Sequence, residues 1–259
     1  MIRPPLFTGL SDFDALAGPL PAGKVTAVAG RPSAGTSAFA LTVARHNLAD
    51  GRAVAFTNLQ VDHGTLLGNF LAAESSTNVD RWETLNEGRI TRLRRASDSL
   101  SETRLWTWTP RDLRRPEQIV QELDQVEDVD LIIVDDYAMA ADGELAKGAT
   151  LAVLRQIAED RQAAVLVTAH LERTEWGQER TVPSLADLLP GDAALVDATA
   201  AIVLHRPDTD GTVPERRGEA DIIAAHGWQR SGTVPVRFEP EYHRLVDRPN
   251  DMASARPGS

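Results

Sequence analysis

The sequence predicts an α/β fold, a mainly parallel central sheet flanked by helices with an antiparallel β end. Three observations carry this. Strand-like apolar runs alternate with helical runs as far as residue 168, and strands separated by helices assemble in parallel. One of these strands enters a glycine-rich turn that opens directly into a helix. Past residue 200, three strand-like runs follow one another with short loops, which suits antiparallel pairing.

In chain order, the strands are expected at 25–29, 53–58, 104–108, 131–135, 164–168, 200–205, 220–225 and 234–239. Helices are expected at 37–50, 62–75, 78–87, 87–99, 116–126 and 145–160. Trp106 and Trp108 alternate with Leu105 and Thr107, so both indoles share one face of a strand. That pattern marks core or interface more often than a base-stacking platform. There is no internal repeat. Residues 1–8 read as a short leader, 9–247 as one domain, and 248–259, rich in Pro, Gly, Ser and Ala, as a disordered tail.

Composition excludes several classes. A chain of 259 residues with 42% hydrophobic content makes one large domain or two small ones. Its net charge of -11 opposes non-specific nucleic-acid binding, which needs a basic surface to displace counterions. With no cysteine, disulfides and thiolate metal sites are excluded. No apolar run reaches the ~18 residues of a membrane span, and Met1-Ile2-Arg3-Pro4-Pro5 lacks the apolar core of a signal peptide. The expectation is a cytoplasmic protein with no membrane partner.

The stretch Gly30-Arg31-Pro32-Ser33-Ala34-Gly35-Thr36-Ser37 reads as a phosphate-binding loop without its lysine. The pattern is G-x-x-x-x-G-K-[ST], and Thr36 stands in the lysine position. Backbone N–H groups of Ala34, Gly35, Thr36 and Ser37 would still cradle a phosphate at a helix N-terminus, and the Ser37 hydroxyl would ligate Mg²⁺. The run Leu131-Ile132-Ile133-Val134-Asp135 delivers an acid to the carboxyl edge of a buried parallel strand. In P-loop folds an acid there helps hold Mg²⁺. The bland alternatives are a glycine turn with no ligand and a capped strand end, with Asp136 solvated.

Together these pieces resemble the C-terminal RecA-like ATPase domain of DnaB-type replicative helicases, over roughly Phe7 to Asp247. Phe7-Thr8-Gly9-Leu10-Ser11-Asp12-Phe13-Asp14 is similar to that family's opening motif, T-G-x-x-x-L/F-D. Gly30-Arg31-Pro32-Ser33 with Gly35 resembles its R-P-S-M-G-K-T loop, continued by Phe39-Ala40-Leu41. Phe56-Thr57-Asn58-Leu59-Gln60 lies where the family has F-S-L-E, and Val167 through Arg173 where a strand ends in S-Q-L-x-R. Ser184 through Asp197-Ala198 follows its S-D-L-R-E-S-G…D-A-D spacing, and Gln229-Arg230-Ser231-Gly232 its K-Q-R-N-G. The resemblance implies a RecA-like P-loop fold, ATP and Mg²⁺ as cofactors, DNA as substrate and a ring of subunits.

The departures fall on the chemistry. The loop lysine, which steadies charge on the β- and γ-phosphates, is Thr36; losing such a contact costs about 10²–10³ in rate. The resemblance makes Gln60 the counterpart of the catalytic glutamate, and general-base help is worth roughly 10²–10⁴. His170 replaces the γ-phosphate-sensing glutamine and can still donate a hydrogen bond. Trp228 replaces the lysine that reaches a neighbouring subunit's phosphate, either as interface anchor or as core, while Arg230 remains as a candidate arginine finger.

The family's channel loops correspond to 172–183 and 190–196, which balance Arg173 and Arg180 against Glu172, Glu175, Glu179 and Asp192. That is no phosphate-tracking groove. Only residues 1–8 precede the opening motif, so the linker that closes the family's ring is not in this sequence, and a stable hexamer is not expected. The arginines at 89, 92, 94 and 95, and at 111, 114 and 115, could meet DNA or an acidic partner; otherwise they are solvated faces balanced by nearby acids. His46, His63, His205, His226 and His243 show no ligand spacing.

Three readings follow. The first is a domain that binds ATP and Mg²⁺ with little or no hydrolysis and acts in DNA replication or a related DNA transaction, by self-association or by docking onto a helicase or replication protein. The second is an active ATP-dependent helicase or translocase with a rearranged site, its missing charge supplied by Lys24, Lys147 or a neighbour. The third is a nucleotide-free interaction scaffold.

Overall fold

The structure is a computed structural model that describes residues 4–109, 116–140, 144–172, 182–208 and 214–249. Its strands are β1 (Val25–Gly30), β2 (Val54–Asn58), β3 (Leu105–Trp108), β4 (Leu131–Asp135), β5 (Ala164–His170), β6 (Ala200–His205), β7 (Glu219–His226), β8 (Gly232–Glu239) and β9 (Arg244–Asp247). They form one sheet in the order β3-β2-β4-β5-β1-β6-β7-β8-β9. Pairing is parallel from β3 across to β6 and antiparallel from β6 to β9. The α/β expectation with an antiparallel end therefore holds.

The helices are α1 (Ser11–Ala17), α2 (Thr36–Ala49), α3 (His63–Ser75), α4 (Glu87–Ser101), α5 (Pro116–Leu123) and α6 (Glu144–Arg161). Burial on both faces of the sheet explains the unbroken apolar strands. Along β4, Leu131 and Ile133 join the cluster of Phe39, Phe56 and Phe70 from α2, β2 and α3. Ile132 and Val134 join the opposite cluster with Leu123 of α5 and Leu154 of α6. Trp106 and Trp108 lie against this second cluster, on one face as their spacing predicts, and Trp108 Nε1 donates to Glu122 at 3.1 Å.

Three elements depart from expectation. No helix occupies 78–87: Asn78 accepts from the Asp80 amide at 2.9 Å, and only a 3₁₀ turn, Trp82–Thr84, follows. Asn86 then caps α4 by accepting from the Arg89 amide. Both asparagines offer the backbone a local alternative to the helix ladder. Helix α1 went unread because it is only 7 residues long; Asp14 secures its start by accepting from the Thr8 and Gly9 amides. Strand β9 gives little signal in the sequence because it has only 4 residues, two of them apolar between a charged residue at each end. It covers β8 only from Val236, leaving Pro235, which cannot donate, beyond its reach.

Leu6 is buried and bridges to Leu20, so residues before the opening motif also pack on the core. The region expected as a tail lies outside the described residues from 250 onward. Among the described residues no helix is long and apolar enough to cross a membrane.

Candidate functional site

Every expected site residue on β1, β2, β4 and β5 arrives at the carboxyl edge of the parallel strands, where open α/β sheets bind ligands. From Gly30 the chain turns through Ser33 and Gly35, both at positive φ (69° and 99°), and enters α2 at Thr36. Gly35 also meets a close approach, since a Cβ there would lie 3.1 Å from the Phe238 ring. The loop closes on itself through Ala34 N–H to the Arg31 carbonyl at 2.9 Å. Helix α2 starts at this edge, and the first-turn amides of a helix are the ones that can cradle a phosphate. Thr36 does not take up the lysine's task. It is buried, with its methyl 3.0 Å from where a Gly30 Cβ would stand.

Beneath the loop sits Asp135, 1% exposed. Its Oδ1 accepts from Ser37 Oγ at 3.0 Å and Thr168 Oγ1 at 2.6 Å, and its Oδ2 from Asn58 Nδ2 at 2.7 Å. Burial raises its pKa above the usual carboxylate value, opposed by the hydrogen bonds from Thr168 and Ser37. Among the described residues no group of three His, Cys, Asp or Glu could hold a metal unaided. That suits Mg²⁺, which keeps waters and takes one or two protein oxygens beside substrate phosphates. The Ser37 hydroxyl and the Asp135 carboxylate, 3.0 Å apart, are oxygen donors of the kind this ion takes, so the donor set fits it.

The second tier is a cluster that the sequence did not reveal. Asp136 is not solvated: it is 3% exposed. Its Oδ2 accepts from Gln60 Nε2 at 3.1 Å and lies 3.0 Å from His170 Nδ1. Strand β5 runs two residues further than expected, so His170 pairs with Gly30 at the start of the loop. The pKa of His170 is raised, chiefly by its hydrogen bond to Asp136, against the opposing effect of burial.

Two further residues wall the loop. Arg206, just past β6, donates to the Ser33 carbonyl at 3.4 Å and lies 4.5 Å over the Phe238 ring. Asp208 holds its guanidinium with contacts of 3.0 and 2.8 Å. They converge from β6 and β8, and no sequence spacing could have paired them.

Other expected residues lie elsewhere. Lys24 precedes β1 at the edge opposite the loop and pairs with Glu159 at 3.1 Å, so it cannot supply the missing charge. Lys147 falls in α6, but its side chain lies outside the described residues. Arg230 stands in the β7–β8 turn, also at the opposite edge, where it donates to the Ala15 carbonyl at 3.0 Å. It cannot reach this loop in cis. Trp228 is half-buried in the core, edge-on to Phe13 with centroids 5.6 Å apart, and donates to the Ala201 carbonyl.

Of the first channel segment, residues 173–181 lie outside the described residues, as do Arg111, Arg114 and Arg115. The second is a 3₁₀ stretch, Pro190–Asp197, with Asp192 and Leu195 buried. Arg89 and Arg92 bind the Thr84 and Ser75 carbonyls and line a polar cleft away from the phosphate loop.

A family model described as "DnaB-like helicase C terminal domain" matches residues 6–247. Among curated proteins, the chain is similar to the replicative DNA helicase DnaB of Leifsonia xyli subsp. xyli (strain CTCB07). Identity is 25%, covering 93% of this chain and 55% of that one. It is also similar to the replicative DNA helicase DnaC of Bacillus subtilis (strain 168), at 26% identity over 97% of this chain and 59% of the relative. The chain thus spans between half and two thirds of these relatives. A solved structure described as "The Structure Of A DnaB-Like Replicative Helicase And Its Interactions With Primase" superposes with a TM-score of 0.84 at 19% identity, covering 94% of this chain and 62% of that one. The RadB recombinase superposes with a TM-score of 0.61 at 17% identity, covering 94% of this chain and all of that one. These two likenesses show the RecA-like fold. This chain belongs to the DnaB-like helicase C-terminal domain family.

Proposed function

We propose that this domain binds ATP with Mg²⁺ at the loop from Gly30 to Ser37, hydrolyses it slowly or not at all, and serves DNA replication or a related DNA transaction. The observation that carries the reading is the division between the two tiers. The loop backbone and the Ser37–Asp135 pair, braced by the Thr168 and Asn58 bonds, would seat a phosphate and a metal. Above it, the lysine position is a buried threonine and the glutamate position an amide whose N–H is spent on Asp136.

An amide accepts no proton, so general-base assistance at Gln60 is gone. When bound, ATP would bring the scissile phosphate and Mg²⁺ its charge neutralisation. Ser37 and Asp135 would hold the ion and the loop amides the phosphates. With its own motor chemistry reduced, the domain would act by docking onto a helicase or replication protein, or by self-association. Family membership supports the replication setting.

Calorimetric titration with Mg²⁺-ATP tests this. Saturable binding with a flat baseline is expected. Continuing heat that Asp135→Ala abolishes would point instead to an active motor. No heat at millimolar ATP would leave the nucleotide-free scaffold.

A further inference from the structure

Several arginines of this acidic chain end on acids: Arg45 on Glu74, Arg161 on Asp124, Arg206 on Asp208 and Arg216 on Asp221. One group does not. Arg81, in the turn between α3 and α4, stands with Arg89, Arg92 and Arg95 of α4, and among the described residues none of the four reaches a carboxylate. Arg81, Arg89 and Arg92 line one cleft of about 450 Å³, with Glu241 and Tyr242 from the β8–β9 turn. Arg92 also lines a second, adjoining cleft with Arg95. The larger has the size of a small-ligand site.

The guanidinium groups are anchored at one end. Arg89 Nη1 donates to the Thr84 carbonyl at 2.8 Å and to its hydroxyl at 2.9 Å, and Arg92 Nε donates to the Ser75 carbonyl at 3.2 Å. A guanidinium carries five N–H donors, so each keeps others for a ligand. Such a planar fork matches the oxygens of a phosphate. Ser76 and Thr77 add hydroxyls to the lining, whose single acid is Glu241. Glu74, in the adjoining cleft, is held by Arg45. Arg89, Arg92 and Arg95 follow one another at a spacing of three, which sets like charges side by side and weakens the helix. An anion between them removes that repulsion.

We propose that this cleft binds a compact polyphosphate, either a free chain or that of a nucleotide, through Arg81, Arg89 and Arg92. Its lining shares no residue with the phosphate loop, so the inference goes beyond the nucleotide reading and stands without it. The occupant is compact because the positive field is. Exposed Asp80, Glu83 and Glu87 flank the arginines along the chain, and the net charge is -11. No basic track continues from the cleft to follow a nucleic-acid backbone.

The test is calorimetry of the full chain with tripolyphosphate in EDTA, so that no Mg²⁺ supports the phosphate loop. Wild type is compared with Arg81→Gln, Arg92→Gln and Arg94→Gln. Arg81 makes no ion pair, so its variant tests the ligand rather than the fold. Arg94 is exposed on α4 outside both linings, and its variant makes the same charge change. Arg81→Gln and Arg92→Gln should each weaken binding about tenfold, the size of a charge-assisted hydrogen bond, and Arg94→Gln should leave it unchanged. Tripolyphosphate should also raise the melting temperature of wild type. Guanosine triphosphate forms the second arm: tighter binding through the same two arginines assigns a nucleotide, and equal binding assigns the free chain.

Equal losses in all three variants would mean diffuse attraction and overturn the proposal. Unchanged affinity in Arg81→Gln and Arg92→Gln would place the anion elsewhere and overturn it too, as would the absence of binding. An oligothymidylate that needs these arginines while tripolyphosphate does not bind would make the cleft a nucleic-acid contact instead. Failure of Mg²⁺-ATP to bind the phosphate loop would remove the nucleotide reading and leave this inference standing.

Discussion

The floor and the rim of this site diverge. The floor is Asp135 with Ser37, Thr168 and Asn58, a set of side-chain hydrogen bonds under a loop that turns through positive φ at Ser33 and Gly35. The rim is Thr36, Gln60, Asp136 and His170, where every side chain differs from what the family motif would place there or was not foreseen. The floor is built by backbone and core, so altering it risks the fold. The rim is built by side chains at strand ends, and those can change while β1, β4 and β5 stay in register. A domain can therefore lose transition-state contacts while keeping a place for the ligand.

The largest expected effect comes from restoring the rim. Thr36→Lys with Gln60→Glu supplies both missing groups and should raise ATP turnover about 10⁴-fold, or roughly 5.5 kcal/mol of barrier. The structure sharpens this. A glutamate at 60 would meet Asp136 where the amide now donates, and two carboxylates in contact cannot both ionise easily. Adding Asp136→Asn should therefore give a faster enzyme than the double variant, measured as phosphate release. A double variant already at full gain, unimproved by Asp136→Asn, would mean that Asp136 is not felt at position 60.

Next in size is the support under the floor. Phe39 of α2 is fully buried beside Phe56 and Phe70. Phe39→Ala should cost about 3–5 kcal/mol by cavity formation and lost burial, read as a drop in denaturation midpoint. It should weaken nucleotide binding only as far as the folded fraction falls. A variant of unchanged stability would mean that the Phe39 ring is not part of the packing that supports the floor.

Within the floor, Thr168→Val keeps the shape and removes the 2.6 Å bond to Asp135. Hydrogen bonds to buried charged groups are worth about 1.5–3 kcal/mol, so stability should fall by an amount in that range. Mg²⁺-dependent nucleotide affinity should fall too, because Asp135 is then held by Ser37 and Asn58 alone.

The floor was legible in the sequence and the rim only in part. The loop spacing and the apolar run ending in Asp135 are local patterns, and local patterns survive in a string of letters. Gln60 and His170 were legible as positions through the family motifs, but not as neighbours. Asp136 was obscure because it lies one residue past the end of β4, where strand alternation no longer predicts direction. Arg206 and Phe238 meet across 32 residues, a contact that only β6, β7 and β8 pairing creates. The same reasoning applies to β9, which is defined only by its pairing with β8 at the end of the sheet.

The smallest expected effect separates two sources of charge. Lys24 lies close to the loop in sequence and was a candidate for the missing cation. It sits at the other end of β1, and its pair with Glu159 is about half-exposed on both sides, 48% and 56%. Exposed pairs contribute about 0–1 kcal/mol, so Lys24→Gln should change the denaturation midpoint barely and nucleotide affinity not at all. If affinity fell with Lys24→Gln while His170→Gln left it alone, the charge would reach the phosphates from the far edge. That would require the loop and β1 to rearrange on binding, so the rim in this structure would not be the ligand-bound one. An unchanged affinity keeps the search for the cation at the carboxyl edge, where His170, Arg31 and Arg206 adjoin the loop.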